Sequence, residues 1–432
     1  MQLKENLKII SFFLIFLSIA SFFLGYHFDE NSAGAGTYDG DFQHIWNNLQ
    51  IFVNNDISSA INHPDYEDSR TPAAYIIHKL FNPFLENEIY FRRSVFIISL
   101  VIPVLFYLCL KQKFIKEDKL LLLLISSTIF LSPYFRTTSY WGLEENYGLI
   151  FLLLTVLSLN FFLESNYQNE LKLYFVLFLI TFFSSLCLYF DQKLIIIPII
   201  CLFKIIATKK LIKFKFFSIF SYFIMSLPYF YLILLWGNLI PTSAAENRKL
   251  GEELFFGHIG YALTIIAFYL LPLLMFKEKN LYGLIKNFLS NNKNYYLISL
   301  FFVYLFYLLI FFNFNNQSMI GKGLIYKASV ILFDSQILRE IFTYSSFFFS
   351  WIIILIFIDR DYKNILIIFY FIVISTIMWP IFQEYFDPLI IILAFTFFNS
   401  KLYISYKNTI ILFLYLSLFL VGSNIYYINL LN

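Results

Sequence analysis

The chain has 432 residues, 59% of them hydrophobic and only 14% charged, with a mean hydropathy of +0.71. Soluble domains run at roughly 45–50% apolar and about 25% charged, so a soluble core is excluded and an all-α integral membrane protein is expected. The net charge of +3 and the lack of any Lys/Arg run argue against a nucleic-acid partner.

A helix needs roughly 17–25 apolar residues to cross about 30 Å of hydrocarbon. Such stretches lie at Ile9–Tyr26, Ser94–Leu110, Leu120–Tyr134, Tyr147–Leu163, Leu173–Phe190, Leu194–Thr208 and Phe216–Trp236. Further ones follow at Ile259–Phe276, Tyr295–Phe312, Ile341–Ile358, Ile365–Pro380, Leu389–Phe398 and Thr409–Ile428. The expectation is about 13 transmembrane helices, the third, sixth and twelfth being the shortest. Short polar spacers make residues 1–432 a single polytopic domain. Cys109, Cys187 and Cys201 fall inside apolar runs without pairing or ligand spacing and read as small core residues. The abundance of Phe and Tyr accompanies Ile, Asn and Lys, as AT-rich codons favour, and is not read as a sugar-stacking platform.

Lys/Arg bias in short loops sets orientation. With Lys4 and Lys8 inside, alternation gathers most basic residues on the inner side, among them Lys111, Lys113, Lys204, Lys213, Lys277 and Lys401. Most acidic residues gather on the outer side. A bacterial inner (plasma) membrane with a cytoplasmic N-terminus is the expected location. Ala33-Gly34-Ala35 would allow the first span to be a cleaved signal peptide, but its apolar run is long for one.

The first outer loop, residues 27–93, is the longest. Thr37-Tyr38-Asp39-Gly40-Asp41-Phe42-Gln43-His44 places two carboxylates on a Gly-containing turn at the bilayer edge. A carboxylate there can be desolvated and held for proton abstraction, or Asp41 is simply the N-cap of the next helix. Phe42, Ile45, Trp46, Leu49, Phe52 and Val53 recur at helical spacing, and Tyr75, Ile76, Leu80, Phe81 and Phe84 follow Pro72. Such helices can roof a cavity at the surface or be ordinary partly buried loop helices. Other outer polar clusters are His63–Pro72 with Asp68 and Arg70, Arg136 leading to Tyr140, Glu144 and Glu145, Asp191-Gln192-Lys193, the loop carrying Arg248 and Lys249, and Gln383-Glu384-Tyr385-Phe386-Asp387-Pro388. Each can be an interface anchor. Placed together on one face, they can bind a lipid phosphate through Arg forks beside a carboxylate base.

This plan resembles the GT-C superfamily of polytopic glycosyltransferases, which includes protein O-mannosyltransferases and aminoarabinose transferases. The resemblance rests on the acidic motif after span one (Asp39-Gly40-Asp41-Phe42), the amphipathic helices behind it, Arg70-Thr71-Pro72-Ala73-Ala74-Tyr75 before span two, and the late Gln383–Pro388 segment. The chain has Asp-Gly-Asp where the best-known pattern has Asp-Glu, so the base is Asp41 or Asp39, with Asp41 favoured by its Phe-Gln-His-Ile-Trp continuation.

The resemblance implies a polyprenyl-phosphate sugar donor, an inverting transfer to a lipid, glycan or protein acceptor, and an Asp general base. Arg136, with Arg70, Lys193 or Arg248, would hold the leaving phosphate. Asp68, Glu144 and Glu145 would orient sugar hydroxyls or help to hold a divalent cation, and Tyr140, Gln383 and Tyr385 would complete the substrate site. His44, His63 and His78 have no ligand spacing. A transporter or lipid flippase is the rival, disfavoured by spans nearly free of charge and by the lack of a repeat. A polysaccharide polymerase or ligase fits less well, because the largest outer loop comes early.

Overall fold

In hydrocarbon every backbone N–H and C=O has to be satisfied within its own segment, which leaves helices or closed barrels. The computed structural model takes the first solution. It describes residues 2–34, 37–164, 169–208, 210–241, 244–245, 254–278, 281–312, 321–359 and 361–431, and among these there is no strand. Eight helices are long and apolar enough to span a bilayer: Glu5–His27, Glu88–Lys113, Glu145–Glu164, Glu170–Phe190, Ile212–Trp236, Asn294–Phe311, Gln336–Ile358 and Tyr406–Ile428. Large apolar side chains stand outward on them, Phe12, Phe16, Leu234, Val303 and Leu418 among them, a surface that lipid tolerates and water does not.

The number is smaller than thirteen for identifiable reasons. In four of the expected stretches the helices are apolar but short: Ile196–Ile206, Gly257–Leu270, Tyr362–Ser375 and Leu389–Thr396. The stretch expected as the third span is broken, its halves Lys119–Leu131 and Pro133–Trp141 meeting at 66°. Ser132 adopts extended backbone and its hydroxyl caps the Phe135 N–H at 3.0 Å, while Pro133 fits the first helical position. Counted as one span, the broken pair makes nine.

Two compact units divide the chain, residues 1–247 with 416–432, and residues 248–415. In the first, α1 is Gln2–His27, α2 Gln43–Asn54, α3 Ile57–Ile61, α4 Ala73–Phe81, α5 Glu88–Ser99 and α6 Val101–Lys113. Then come α7 Lys119–Ser127, α8 Pro133–Trp141, α9 Glu145–Glu164, α10 Glu170–Phe190, α11 Ile196–Ile206 and α12 Ile212–Trp236. α9 packs on α10 and α6, α10 on α12, and α7 on α1 and α6. Cys109, Cys187 and Cys201 are buried free thiols within these packed faces. The second unit centres on Gly257–Leu270, which packs on Gln336–Ile358, Gly323–Leu332, Tyr362–Ser375 and Leu389–Thr396.

α8 is buried along its whole length and is pinned to α1 through a charge. Arg136, 2% exposed, directs Nε to Glu30 at 3.1 Å and Nη1 to Ser21 Oγ at 3.1 Å and to the Phe130 carbonyl at 3.0 Å. Its Nη2 bonds the Ser21 carbonyl at 2.7 Å and the Glu30 carboxylate. The other Glu30 oxygen accepts from Asn424 at 3.0 Å. Gly25 is required here, because a Cβ would fall closer than 3.0 Å to Arg136, Glu30 and Tyr140 together.

Removing one partner of a buried pair strands the other, typically at about 3–5 kcal/mol. Arg136→Met is expected to destabilise by that amount and Arg136→Met/Glu30→Gln by clearly less, read as thermal unfolding midpoints in detergent. Equal losses in both would show that the pair itself is not the source of the stability.

Candidate functional site

Three segments distant in sequence meet in a buried polar cluster at the ends of α9 and α10. The first is Tyr66–Thr71, leading into α4. Asn48 of α2 accepts the Glu67 N–H at 3.3 Å, and the Tyr66 hydroxyl donates to the Arg70 carbonyl at 3.3 Å. The second is the α8–α9 turn. It turns at Gly142, whose φ of +77° is the left-handed cap a glycine adopts without strain, and it presents Glu144 and Glu145. The third is Asp191–Lys193 after α10, tied to the first by Gln192 Nε2 on the Ser69 carbonyl at 3.1 Å and by Thr71 Oγ1 on the Tyr189 carbonyl.

Arg70 sits between the carboxylates. Its Nη2 pairs with Glu145, its Nη1 lies 3.7 Å from Asp68, and its own N–H donates to Asp68 at 2.9 Å. Asp68 is 1% exposed and also accepts the Tyr75 hydroxyl. Lys193 pairs with Asp191 at 3.2 Å. Glu144 is 1% exposed, and neither of its oxygens meets a hydrogen-bond donor at bonding geometry among the described residues. Burial above all, with Asp68 beside it, pushes the Glu144 carboxyl well above the ordinary range, Arg70 opposing. Burial likewise raises Asp191, against the pull of Lys193. Burial thus disfavours the ionised form of both carboxyl groups. Alongside them, burial holds the His78 imidazole down at about 4, and its Nε2 lies 2.9 Å from the Tyr147 hydroxyl.

Of the residues singled out in the sequence, Asp68, Arg70, Glu144, Glu145 and Lys193 are brought together here. Asp191, Tyr66, Tyr75 and His78 join them, and their chemistry was not recognised. In the sequence Asp191 belongs to a boundary triplet, Tyr66 to the polar cluster before Pro72, and Tyr75 to the apolar run that follows it.

Asp39 and Asp41 lie on a single turn of wide helix, Tyr38–Phe42, kinked at Gly40 and running into α2. Asp39 is exposed and Asp41 half-buried. The turn is held by Phe42, fully buried with its ring 6.4 Å from those of Trp46, Phe91 and Trp141, and by the Tyr38 hydroxyl on Glu88. The acidic turn thus packs against the end of α8, a few residues before Glu144.

Arg136 and Tyr140 turn the other way. The five N–H groups of Arg136 are engaged inside the protein, and the Tyr140 hydroxyl donates to the Phe22 carbonyl at 2.6 Å. Gln383 and Tyr385 belong to the second unit. Gln383 accepts the Leu324 N–H at 2.8 Å and donates to the Tyr269 hydroxyl at 3.2 Å, and the half-buried Tyr385 packs its ring on Phe382. Arg248, with Lys249, lies outside the described residues. Near Gln383, Lys322 is a feature the sequence did not signal. It is 3% exposed with φ +64°, and its ammonium lies 4.5 Å from the centre of the Tyr326 ring with no hydrogen-bond acceptor among the described residues.

Among the described residues no three His, Cys, Asp or Glu side chains are grouped to hold a metal ion. In the cluster the guanidinium of Arg70 occupies the position between Asp68 and Glu145 that a cation would need. No protein-family model, curated protein or solved structure matches the chain.

Two pH effects follow. Folded Glu144 keeps its proton above the ordinary value of 4.5, so its contribution to stability is lost as pH rises past that value. Glu144→Gln should therefore be more stable than the parent at neutral pH and equal to it below 4.5. His78 has the opposite sign: between 6.5 and about 4 the unfolded chain takes a proton that the folded chain refuses. His78→Gln should remove a loss on the order of 3 kcal/mol across that window. Thermal midpoints from pH 4 to 8 read both effects, and parallel curves for parent and variants would contradict them.

Proposed function

We propose that the chain is a membrane glycosyltransferase that moves a sugar from a polyprenyl-phosphate donor to a lipid, glycan or protein acceptor at the extracytoplasmic face of a bacterial plasma membrane. The observation that supports this reading is the meeting of Asp68, Arg70, Glu144, Glu145, Asp191 and Lys193 in one buried cluster, while the turn of Asp39 and Asp41 packs on α8, the helix that precedes Glu144. Asp41, or Asp39, takes the proton from an acceptor hydroxyl as its oxygen attacks the anomeric carbon with inversion. The bond from that carbon to the phosphate oxygen breaks, and both electrons leave with the lipid phosphate. Arg70 and Lys193 offset the charge that develops there. Protonated Glu144 donates a hydrogen bond to a sugar or phosphate oxygen, as an ionised carboxylate cannot.

One observation favours a second reading. A buried carboxyl that holds a proton beside Arg70 and Asp68 is also how proton-driven carriers are built. Membranes carrying the chain, given a panel of polyprenyl-phosphate sugars, separate the two readings. Transfer is read as release of polyprenyl phosphate, and loss of a general base should lower it by about 100-fold or more in Asp41→Asn or Asp39→Asn. Parental turnover in both variants would remove the base from this turn. No transfer by the parent, with pH-driven solute flux into vesicles that disappears in Glu144→Gln, would establish the carrier.

A further inference from the structure

The second unit holds a feature unrelated to that chemistry. Beyond the end of Gly257–Leu270, where Gln336–Ile358 stops and Tyr362–Ser375 starts, polar residues surround an open cavity of about 820 Å3. This is within the usual range of small-molecule sites, about 300–1,000 Å3. Its wall carries both signs of charge: Lys277 and Lys401 face Glu278, Asp359 and Asp361. The wall is braced. Lys277, its side chain 7% exposed, donates to the Phe357 carbonyl at 2.7 Å and stands 3.6 Å from Asp359, whose side chain remains 84% exposed. Asn399 donates its side-chain N–H to Asp361 at 3.2 Å and its main-chain N–H to Asn364 at 2.9 Å.

The cavity shares Asn294, Leu355 and Ile358 with a narrow slot of about 100 Å3, whose other walls are Leu297, Trp351, Ile365, Ile368, Phe369 and Ile372. The only polar group among these side chains, the Trp351 indole N–H, is already spent on the Leu297 carbonyl at 3.1 Å. Apart from Asn294, whose side-chain N–H donates to the Phe288 carbonyl at 2.6 Å, the remaining walls of the slot are apolar. It lies among the spans Asn294–Phe311 and Gln336–Ile358 and the apolar helix Tyr362–Ser375, next to the outward-facing Phe369.

A ligand that fits both parts is an amphiphile. We propose that the pair of cavities binds one membrane phospholipid with a zwitterionic headgroup, its ammonium at Asp359 and Asp361, its phosphate at Lys401 and Lys277, and a few methylenes of one acyl chain in the slot, the rest of the chain continuing into the bilayer. Among the described residues, a purely anionic headgroup would meet the carboxylates of Glu278, Asp359 and Asp361, and a purely cationic one the ammonium groups of Lys277 and Lys401. A headgroup with both charges a few Å apart meets each with its opposite.

The full chain is placed in nanodiscs of equal parts phosphatidylethanolamine, phosphatidylglycerol and a neutral diglucosyl lipid, and the lipids it retains are counted by native mass spectrometry. The parent should keep one phosphatidylethanolamine in preference to the others. Asp359→Asn/Asp361→Asn is a gentle change, because Asn suits both the left-handed backbone of residue 359 and the helix cap at 361. It should reduce that preference by about tenfold, the equivalent of about 1.4 kcal/mol. Ile368→Trp, which fills the slot, should lower retention of every lipid while helical content is unchanged. No preference in the parent, a preference for the anionic or the sugar lipid, or retention unaffected by both variants would each overturn the assignment.

Discussion

Arg136 is a permanent charge shut away from water, and the first unit is arranged around that fact. A buried guanidinium is tolerable only if each donor finds an acceptor and its charge finds an opposite. Glu30, Ser21 and the Phe130 carbonyl meet both conditions. Because Glu30 also takes Asn424, the pair fixes α1, α8 and the last helix of the chain, Tyr406–Leu431, at one point. The direction in which the chain leaves α1 is set there, and with it the start of the segment that carries Asp39 and Asp41.

The same rule, applied to Arg70, gives a different result. Around Arg136 one carboxylate balances one cation. Among the described residues, Asp68, Glu144, Glu145 and Asp191 stand around Arg70 and Lys193, and the cations are outnumbered. Burial, with Asp68 alongside, disfavours ionisation of Glu144 and raises its carboxyl well above the ordinary range. A balanced pair has nothing left to give a ligand. An unbalanced cluster has a carboxyl group whose ionisation is disfavoured and an electrostatic deficit that a bound molecule can change. That difference separates a structural charge from a chemical one more sharply than sequence position does, since Arg136 and Glu144 are only eight residues apart.

Much of this was readable in the residues. Apolar length located the long spans, the 3.6-residue recurrence of Ile45, Leu49 and Phe52 fixed the buried face of α2, and the polar outer loops named most of the cluster. Other features were not, for physical reasons. The break at Ser132-Pro133 lies inside an apolar run, where hydropathy alone continues the span. Arg136 and Arg70 look alike as loop arginines, and only their neighbours across more than a hundred or about seventy-five residues distinguish them. Tyr75 falls in an apolar pattern, yet its hydroxyl serves Asp68. Lys322 carries no local signature at all, because its cage comes from Tyr261 and Tyr326 folding around it.

The three thiols close the account in a practical way. Cys109, Cys187 and Cys201 are sealed among packed helices, out of reach of a reagent dissolved in water. To a membrane-impermeant maleimide the natural chain is therefore silent. A single cysteine placed in any loop would stand alone against that background, so each connection can be assigned to one side of the bilayer without first stripping the protein of its own sulfur.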